Sequence, residues 1–267
     1  MTRMNAAPPR SYLFVPGNRP ERFDKAFASG ADAVIVDLED AVPPEHKDAA
    51  RANAAAWLSA GKPVVLRINA VETPWFDADL ALCRHAGVAA VMLPKAERAD
   101  DVALLGAGTV VIPLIESAAG FANVRAIASA PGVQRLAFGA IDFQLDLAMR
   151  ATFDELLWFR SEIALASRLA NIGSAVDSPT VAFDDLAEVE RDAAGARRLG
   201  FGAKLCIHPR QVDAVNRAFS PSEADVAWAR RVVEAADASD GAAVALDGRM
   251  IDKPVILRAR AILRERR

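Results

Sequence analysis

DAVIVDLE (32–39), PVVLRIN (63–69), AAVMLPK (89–95) and TVVIPLIE (109–116) are short runs of almost unbroken aliphatic character, each closing on a charged or polar residue. Runs that are apolar at successive positions need cover on both faces, as strands of a parallel sheet wrapped by helices have. The same kind of run stands upstream as SYLFVP (11–16) and downstream as VQRLAFGA (133–140), IGSAVDS (172–178) and AKLCIHP (203–209). Between them lie Ala-rich segments with helical spacing, such as 51–60, 118–130, 157–170 and 184–199, often punctuated by Pro, Gly, Asn or Asp. Eight strands alternating with helices predict an α/β protein built as a closed (β/α)8 TIM barrel. A doubly wound open sheet is the alternative, but it usually carries a Gly-rich first turn. FVPGNRP is not GxGxxG, and no GxxxxGK[ST] occurs.

The expected organisation is a disordered arm over 1–10, a TIM-barrel catalytic domain over 11–219 and a C-terminal helical extension or lid over 220–267. SPSEADVAW (220–228) marks the last change, with Ser220, Pro221 and Glu223 resembling a helix start. The remainder, through DGRMIDKPV (247–255), reads as helix, loop, helix.

With 32 Lys and Arg against 35 Asp and Glu, the chain lacks the dense basic surface that duplex nucleic acid requires, so no nucleic-acid partner is expected. No apolar run is long enough to span a bilayer, and MTRMNAAPPR has no apolar signal core, so the expectation is a cytoplasmic protein without a membrane partner. Cys83 and Cys206 show no metal spacing and are read as buried thiols. His208 ends the eighth run and is read as a hydrogen-bonded core histidine, while His46 and His85 look like helix-surface residues. GxSxG and HExxH are absent.

In a parallel barrel the C-terminal strand ends meet at one rim, where chemistry is placed. The charged strand ends should therefore converge. For each alone a structural ion pair is at least as good an explanation; jointly, so many charges beside an apolar core need a reason. Glu116 and Asp142 follow neighbouring strands and can share one cation, and an all-oxygen pair without His or Cys favours Mg²⁺, with Mn²⁺ possible. Glu39 and Asp40 either accept hydrogen bonds from the ion's water or brace Arg67 or Lys95. Arg67, inside an apolar strand, needs an anion: a substrate carboxylate or enolate oxygen is favoured, a neighbouring Asp or Glu being the structural alternative.

RSYLFVPGNRPERFDKA, AVIVDLEDAV, VVLRIN, VMLPKAE, IPLIESAAGF, LAFGAIDF, KLCIHPRQV and GRMIDKP occur in that order between Arg10 and about Pro254. As an ordered set they resemble the HpcH/HpaI aldolase and citrate lyase superfamily, in its citrate-lyase-β-like branch. The resemblance implies a TIM barrel that assembles as a homotrimer and binds Mg²⁺ through Glu116 and Asp142. It implies that Arg67 binds the substrate acid or thioester enolate, and that Arg19, Arg22 and Lys25 contact the CoA portion. Asp252, in GRMIDKP, inherits the role of an acid or base delivered to the pocket from its own or a neighbouring subunit. The implied reaction is cleavage of a small acidic 3-hydroxyacyl-CoA (citryl-, malyl- or citramalyl-CoA type) to acetyl-CoA and a 2-oxo acid. A thioesterase on the same metal site and a non-catalytic CoA-ester-binding subunit are the competing readings. The stretch 143–160 departs from the pattern: it keeps Asp146-Leu147 but lacks the glycine expected soon after, which bears on the loop over the pocket and so on substrate size.

Overall fold

The structure, a computed structural model, describes residues 8–59, 61–238 and 244–265. Eight parallel strands close into one barrel in sequence order. They are β1 (Ser11–Pro16), β2 (Ala33–Asp37), β3 (Val64–Arg67), β4 (Val88–Leu93), β5 (Val111–Ile115), β6 (Arg135–Phe138), β7 (Gly173–Asp177) and β8 (Ala203–Cys206). The β1–β8 pairing, Tyr12 opposite Leu205, shuts the ring. Helices α1 (Phe23–Phe27), α2 (Lys47–Leu58), α3 (Phe76–Cys83), α4 (Ala99–Ala103), α5 (Ala118–Ala122) and α6 (Val124–Ala128) follow the first five strands. Helices α7 (Ala140–Asp146), α8 (Leu157–Leu169), α9 (Leu186–Arg198) and α10 (Gln211–Ala218) follow the last three. The closed barrel is what the strand count predicts, and the open-sheet alternative is excluded.

Side chains alternate between the two faces of a strand, so every second residue enters the barrel. Tyr12, Ile35, Val65, Met92, Leu114 and Leu205 pack there as one buried cluster. Removing each aliphatic side chain of this set from water contributes roughly 1.5–3 kcal/mol. Residues of the opposite parity meet the helices, where burial of charge must be compensated. Asp177, fully buried, accepts from Arg160 Nε at 2.8 Å and from Lys204 Nζ at 2.9 Å. At the N-terminal strand ends buried Arg135 donates to Ser174 O, Pro9 O and Tyr12 Oη.

The arm expected over 1–10 lies outside the described residues as far as residue 7. Arg10 differs from that expectation, because its backbone N–H, Nε and Nη2 all bond the Asp32 carboxylate. Cys83 and Cys206 are free and buried, as expected, and burial pushes both thiols up to about 12. His46 is exposed and His85 half-buried at the end of α3. His208 is hydrogen-bonded as expected, its Nδ1 accepting from Arg210 N at 3.2 Å, but it is half-buried in the loop after β8 rather than in the core, its ring 4.8 Å from that of Phe183.

The chain separates into two compact units, one spanning Pro9–Asn216 and one containing the residues from Arg217 onward. The second holds α11 (Glu223–Ala238), β9 (Val244–Leu246), β10 (Arg249–Ile251) and α12 (Lys253–Glu265), with its own cluster of Val232, Ile251, Ile256 and Ile262. Its helix start is capped by Ser222, whose Oγ accepts from Asp225 N at 3.0 Å, rather than by Ser220. Where the sequence reads as a loop between helices there is an antiparallel hairpin, β9–β10. Asp247 and Gly248 both take positive φ, 50° and 73°, as a tight hairpin turn demands.

Candidate active site

The inward parity of the strands continues to their C-terminal ends and decides what meets there. Asp37 stands two residues past Ile35, Arg67 two past Val65, Glu116 two past Leu114 and Gly139 two past Ala137. A charged layer therefore caps the apolar interior. Asp37 and Arg67 are also register partners in the β2–β3 pairing. Arg67 Nε and Nη2 donate to Asp37 Oδ1 and Oδ2 at 2.7 and 2.6 Å, a bidentate pair, with the guanidinium carbon 4.8 Å from the Phe14 ring centroid. Asp37 is thus the neighbouring carboxylate that the sequence reading left open as the structural partner of Arg67: strand register supplies it, and only Nη1 is outside that pair.

Nη1 lies 2.9 Å from Glu39 Oε2 and 3.9 Å from Asp40 Oδ2. The first contact is charge without a hydrogen bond, since Glu39 Oε2 is buried with no hydrogen-bond partner. Lys95 Nζ stands 3.7 Å from the other Glu39 oxygen. Glu39 therefore braces both Arg67 and Lys95, one of the two roles open to it in the sequence, while keeping an oxygen unsatisfied. Asp40 is half exposed at the edge of the group.

Glu116 is 3% exposed. Its Oε1 accepts the Lys95 backbone N–H at 2.8 Å, and Lys95 takes a left-handed φ of 47° in the same turn. That conformation costs a non-glycine residue roughly 1–2 kcal/mol. Glu116 Oε2 lies against Gly139, where an added Cβ would come within 2.5 Å of it, so only glycine leaves the carboxylate its place. Asp142 is not on a strand end but in the first turn of α7, half-buried, and its charge is felt at both Glu116 and Lys95.

Burial pushes Glu39 up to about 7, with Arg67 pulling it back and Asp40 and Asp37 adding to the rise. Burial and then the charge of Glu39 push Glu116 up to about 8, against the Lys95 N–H and Arg67. Burial opposes the Arg67 charge, but Asp37 and Glu39 hold it above its ordinary value. Positive charge is short in this layer. An orphaned carboxylate oxygen on Glu39 and an all-oxygen donor set from Glu116 and Asp142 suit a hard divalent cation, Mg²⁺ before Mn²⁺. Among the described residues no three Asp, Glu, His or Cys side chains form a complete cage, so such an ion would keep positions for water or substrate.

Arg19, Arg22 and Lys25 follow β1 in the same unit as this layer. Arg19 pairs with Glu21 at 2.7 Å, and Arg22 is 4.0 Å from the same oxygen; Lys25 is exposed on α1. Asp252 belongs to the second unit, exposed, with its Oδ1 3.4 Å from Val255 N at the start of α12. Asp37 as the partner of Arg67, and Lys47 beneath Glu39, were missed. Strand register could have indicated the first.

The HpcH/HpaI aldolase/citrate lyase family profile matches residues 10–209. The chain belongs to that family. Members resembling it along almost their whole length include the citrate lyase subunit beta-like protein of Deinococcus radiodurans, 39% identical over 97% of this chain and 99% of the relative. The L-malyl-CoA/beta-methylmalyl-CoA lyase of Cereibacter sphaeroides is 36% identical over 98% of this chain and 97% of the relative. Among solved structures, the CitE protein of Mycobacterium tuberculosis in complex with magnesium, acetoacetate and coenzyme A superposes with a TM-score of 0.86. It is 38% identical and covers 97% of this chain and 98% of that one. Family membership makes the chain a lyase, and these relatives place it among the CoA-ester lyases.

Proposed function

We propose that the chain is a Mg²⁺-dependent carbon–carbon lyase cleaving a 3-hydroxyacyl-CoA of the citryl-, malyl- or citramalyl-CoA type to acetyl-CoA and a 2-oxo acid. The observation that carries this reading is Glu116, a buried carboxylate pushed up to about 8 at the C-terminal end of the barrel, beside another carboxylate with an orphaned oxygen. The malyl-CoA lyase relative and the magnesium and coenzyme A of the CitE complex support it.

Glu116 and Asp142 would hold the ion, with Glu39 and Asp40 around its water. When bound, Mg²⁺ supplies Lewis acidity toward the substrate hydroxyl and carboxylate oxygens. The protein must do the rest. A base takes the 3-hydroxyl proton as the C2–C3 bond breaks, the electron pair passes to the thioester as an enolate, and an acid returns a proton to C2. Arg67, through Nη1, offsets the charge on the enolate or carboxylate oxygen. The proton transfer is assigned, by the family resemblance, to Asp252 of this or a neighbouring subunit. Arg19, Arg22 and Lys25 meet the CoA phosphates as exposed point charges.

The same reading carries a homotrimer, to which exposed Leu145 and Trp158 lend apolar surface, and a cytoplasmic location. No helix among the described residues is long and apolar enough to cross a membrane.

Purified protein assayed against citryl-, malyl- and citramalyl-CoA, with Mg²⁺ and with EDTA, tests the reading. The expected result is EDTA-sensitive release of acetyl-CoA from at least one ester. Free CoA appearing without acetyl-CoA would identify a thioesterase, and binding without turnover of any ester a non-catalytic subunit; either outcome overturns the proposal.

A further inference from the structure

Lys47 opens α2 in PEHKDAARAN, where its neighbours Glu45, His46 and Asp48 are exposed. Its side chain is instead buried, 5% exposed. The ammonium donates to Leu38 O at 2.8 Å, Glu39 O at 2.8 Å and Asn69 Oδ1 at 2.6 Å. An ammonium has three donors, so this set exhausts it and leaves nothing for a ligand. Two of the acceptors are successive peptide carbonyls in the turn leaving β2, and the third stands two residues past Arg67.

Asn69 is fixed from its other side as well. Its backbone N–H and Nδ2 reach Asp79 Oδ2 at 2.8 and 2.7 Å, and Asp79 Oδ1 takes Arg51 Nη1 at 3.0 Å. The turn is closed further by Glu39 N donating to Asp37 Oδ1 at 2.9 Å and Val42 N to Glu39 O at 2.9 Å. The Lys47 ammonium, the Asn69 amide and the Asp79 carboxylate behind the Asp37–Glu39 segment are thus hydrogen-bonded to one another and to its carbonyls, while the Glu39 carboxylate faces Arg67 and Lys95. The ammonium thus holds the backbone turn that carries Glu39, whose buried Oε2 has no hydrogen-bond partner and stands 2.9 Å from Arg67 Nη1.

We propose that Lys47 is a positioning residue for the reaction. By gathering two consecutive carbonyls and the Asn69 side chain on one ammonium, it aims Glu39 at the site and ties that aim to the strand bearing Arg67. It touches no reacting atom. The inference rests on the lyase reading above, and it extends it to a residue behind the pocket.

Lys47→Met preserves length and apolar stem while deleting all three donors. Outer supports of a metal site typically carry about 10- to 100-fold in affinity or activity. The expected result is a fall in kcat of about 10- to 100-fold with KM changed less than about threefold, and Mn²⁺ affinity, read by electron paramagnetic resonance, weakened about tenfold. Arg135→Met is the control, since it removes a buried cation at the N-terminal strand ends. It should lower the melting temperature yet keep kcat and Mn²⁺ affinity. Asn69→Ala, which removes one of the three acceptors, should shift kcat and Mn²⁺ affinity in the same direction by less, and it serves if Lys47→Met does not fold. A Lys47→Met or Asn69→Ala protein that melts lower but matches Arg135→Met in kcat and Mn²⁺ affinity would overturn the assignment. If the wild type turned over no CoA ester, the lyase reading would fail while the Mn²⁺ comparison still decided the role of Lys47.

Discussion

Replacing Glu116 by Gln should stabilise the metal-free protein at alkaline pH while destroying its metal site. The amide keeps an oxygen to accept the Lys95 N–H and removes a buried negative charge. In the wild type the folded pKa, about 8, lies above the ordinary carboxylate value of 4.5, because burial and the charge of Glu39 disfavour ionisation. The sign follows: folding favours the protonated form, so its contribution is complete below pH 4.5 and is lost as pH rises through 8. An interval of about 3.5 pH units at about 1.4 kcal/mol each corresponds to roughly 5 kcal/mol above pH 8, and to about 4 kcal/mol at pH 8 itself. At pH 5 the same linkage leaves less than about 1 kcal/mol between the two proteins. Urea denaturation in EDTA at pH 5 and pH 8, followed by circular dichroism, reads both values. Added Mg²⁺ should narrow the gap at pH 8, because it stabilises the wild type alone, by about 2.7 kcal/mol at a hundred times its Kd, and should close it only near a thousand times Kd, where the gain is about 4.1 kcal/mol. A Glu116→Gln protein less stable than wild type at pH 8 in EDTA would refute the reasoning. It would mean that Glu116 is an ordinary satisfied buried carboxylate.

Gly139→Ala, which would put a methyl 2.5 Å from Glu116 Oε2, should weaken Mg²⁺ binding in calorimetry by about tenfold or more through displacement of that carboxylate; unchanged affinity would contradict the packing argument. Asp177→Asn leaves Arg160 and Lys204 buried without their anion and should cost roughly 3–5 kcal/mol of stability at pH 7 by urea denaturation, kinetics below the melting temperature being unaffected. Since Lys204 and Arg160 outweigh burial and hold the Asp177 carboxyl below its ordinary value, that stability persists above 3.8 and is lost only as acid titrates the folded state.

The barrel was legible because unbroken aliphatic runs such as AVIVD and VIPLI have only one kind of surroundings, a sheet covered on both faces. Glu116 was legible because a carboxylate directly after such a run must sit at the rim. What resisted reading depended on register and on long reach. Asp37 and Arg67 are thirty residues apart, and nothing local says that they pair. Lys47 gave no local signal, since its neighbours Glu45, His46 and Asp48 are exposed; its long stem turns under the chain to meet carbonyls that follow β2. The hairpin β9–β10 was hidden by its length, three residues a strand, which shows no alternation. Asp142 was singled out, but its helix was not foreseen, since the turn at Gly139 passes directly from strand to helix.

The position of a bound divalent ion decides whether Glu116 and Asp142 form the metal site. Crystals soaked in Mn²⁺ and measured at the manganese edge should give one anomalous peak in contact with carboxylate oxygens of both Glu116 and Asp142, close to Arg67 and Glu39. A peak elsewhere in the barrel, or none at millimolar Mn²⁺, would contradict it.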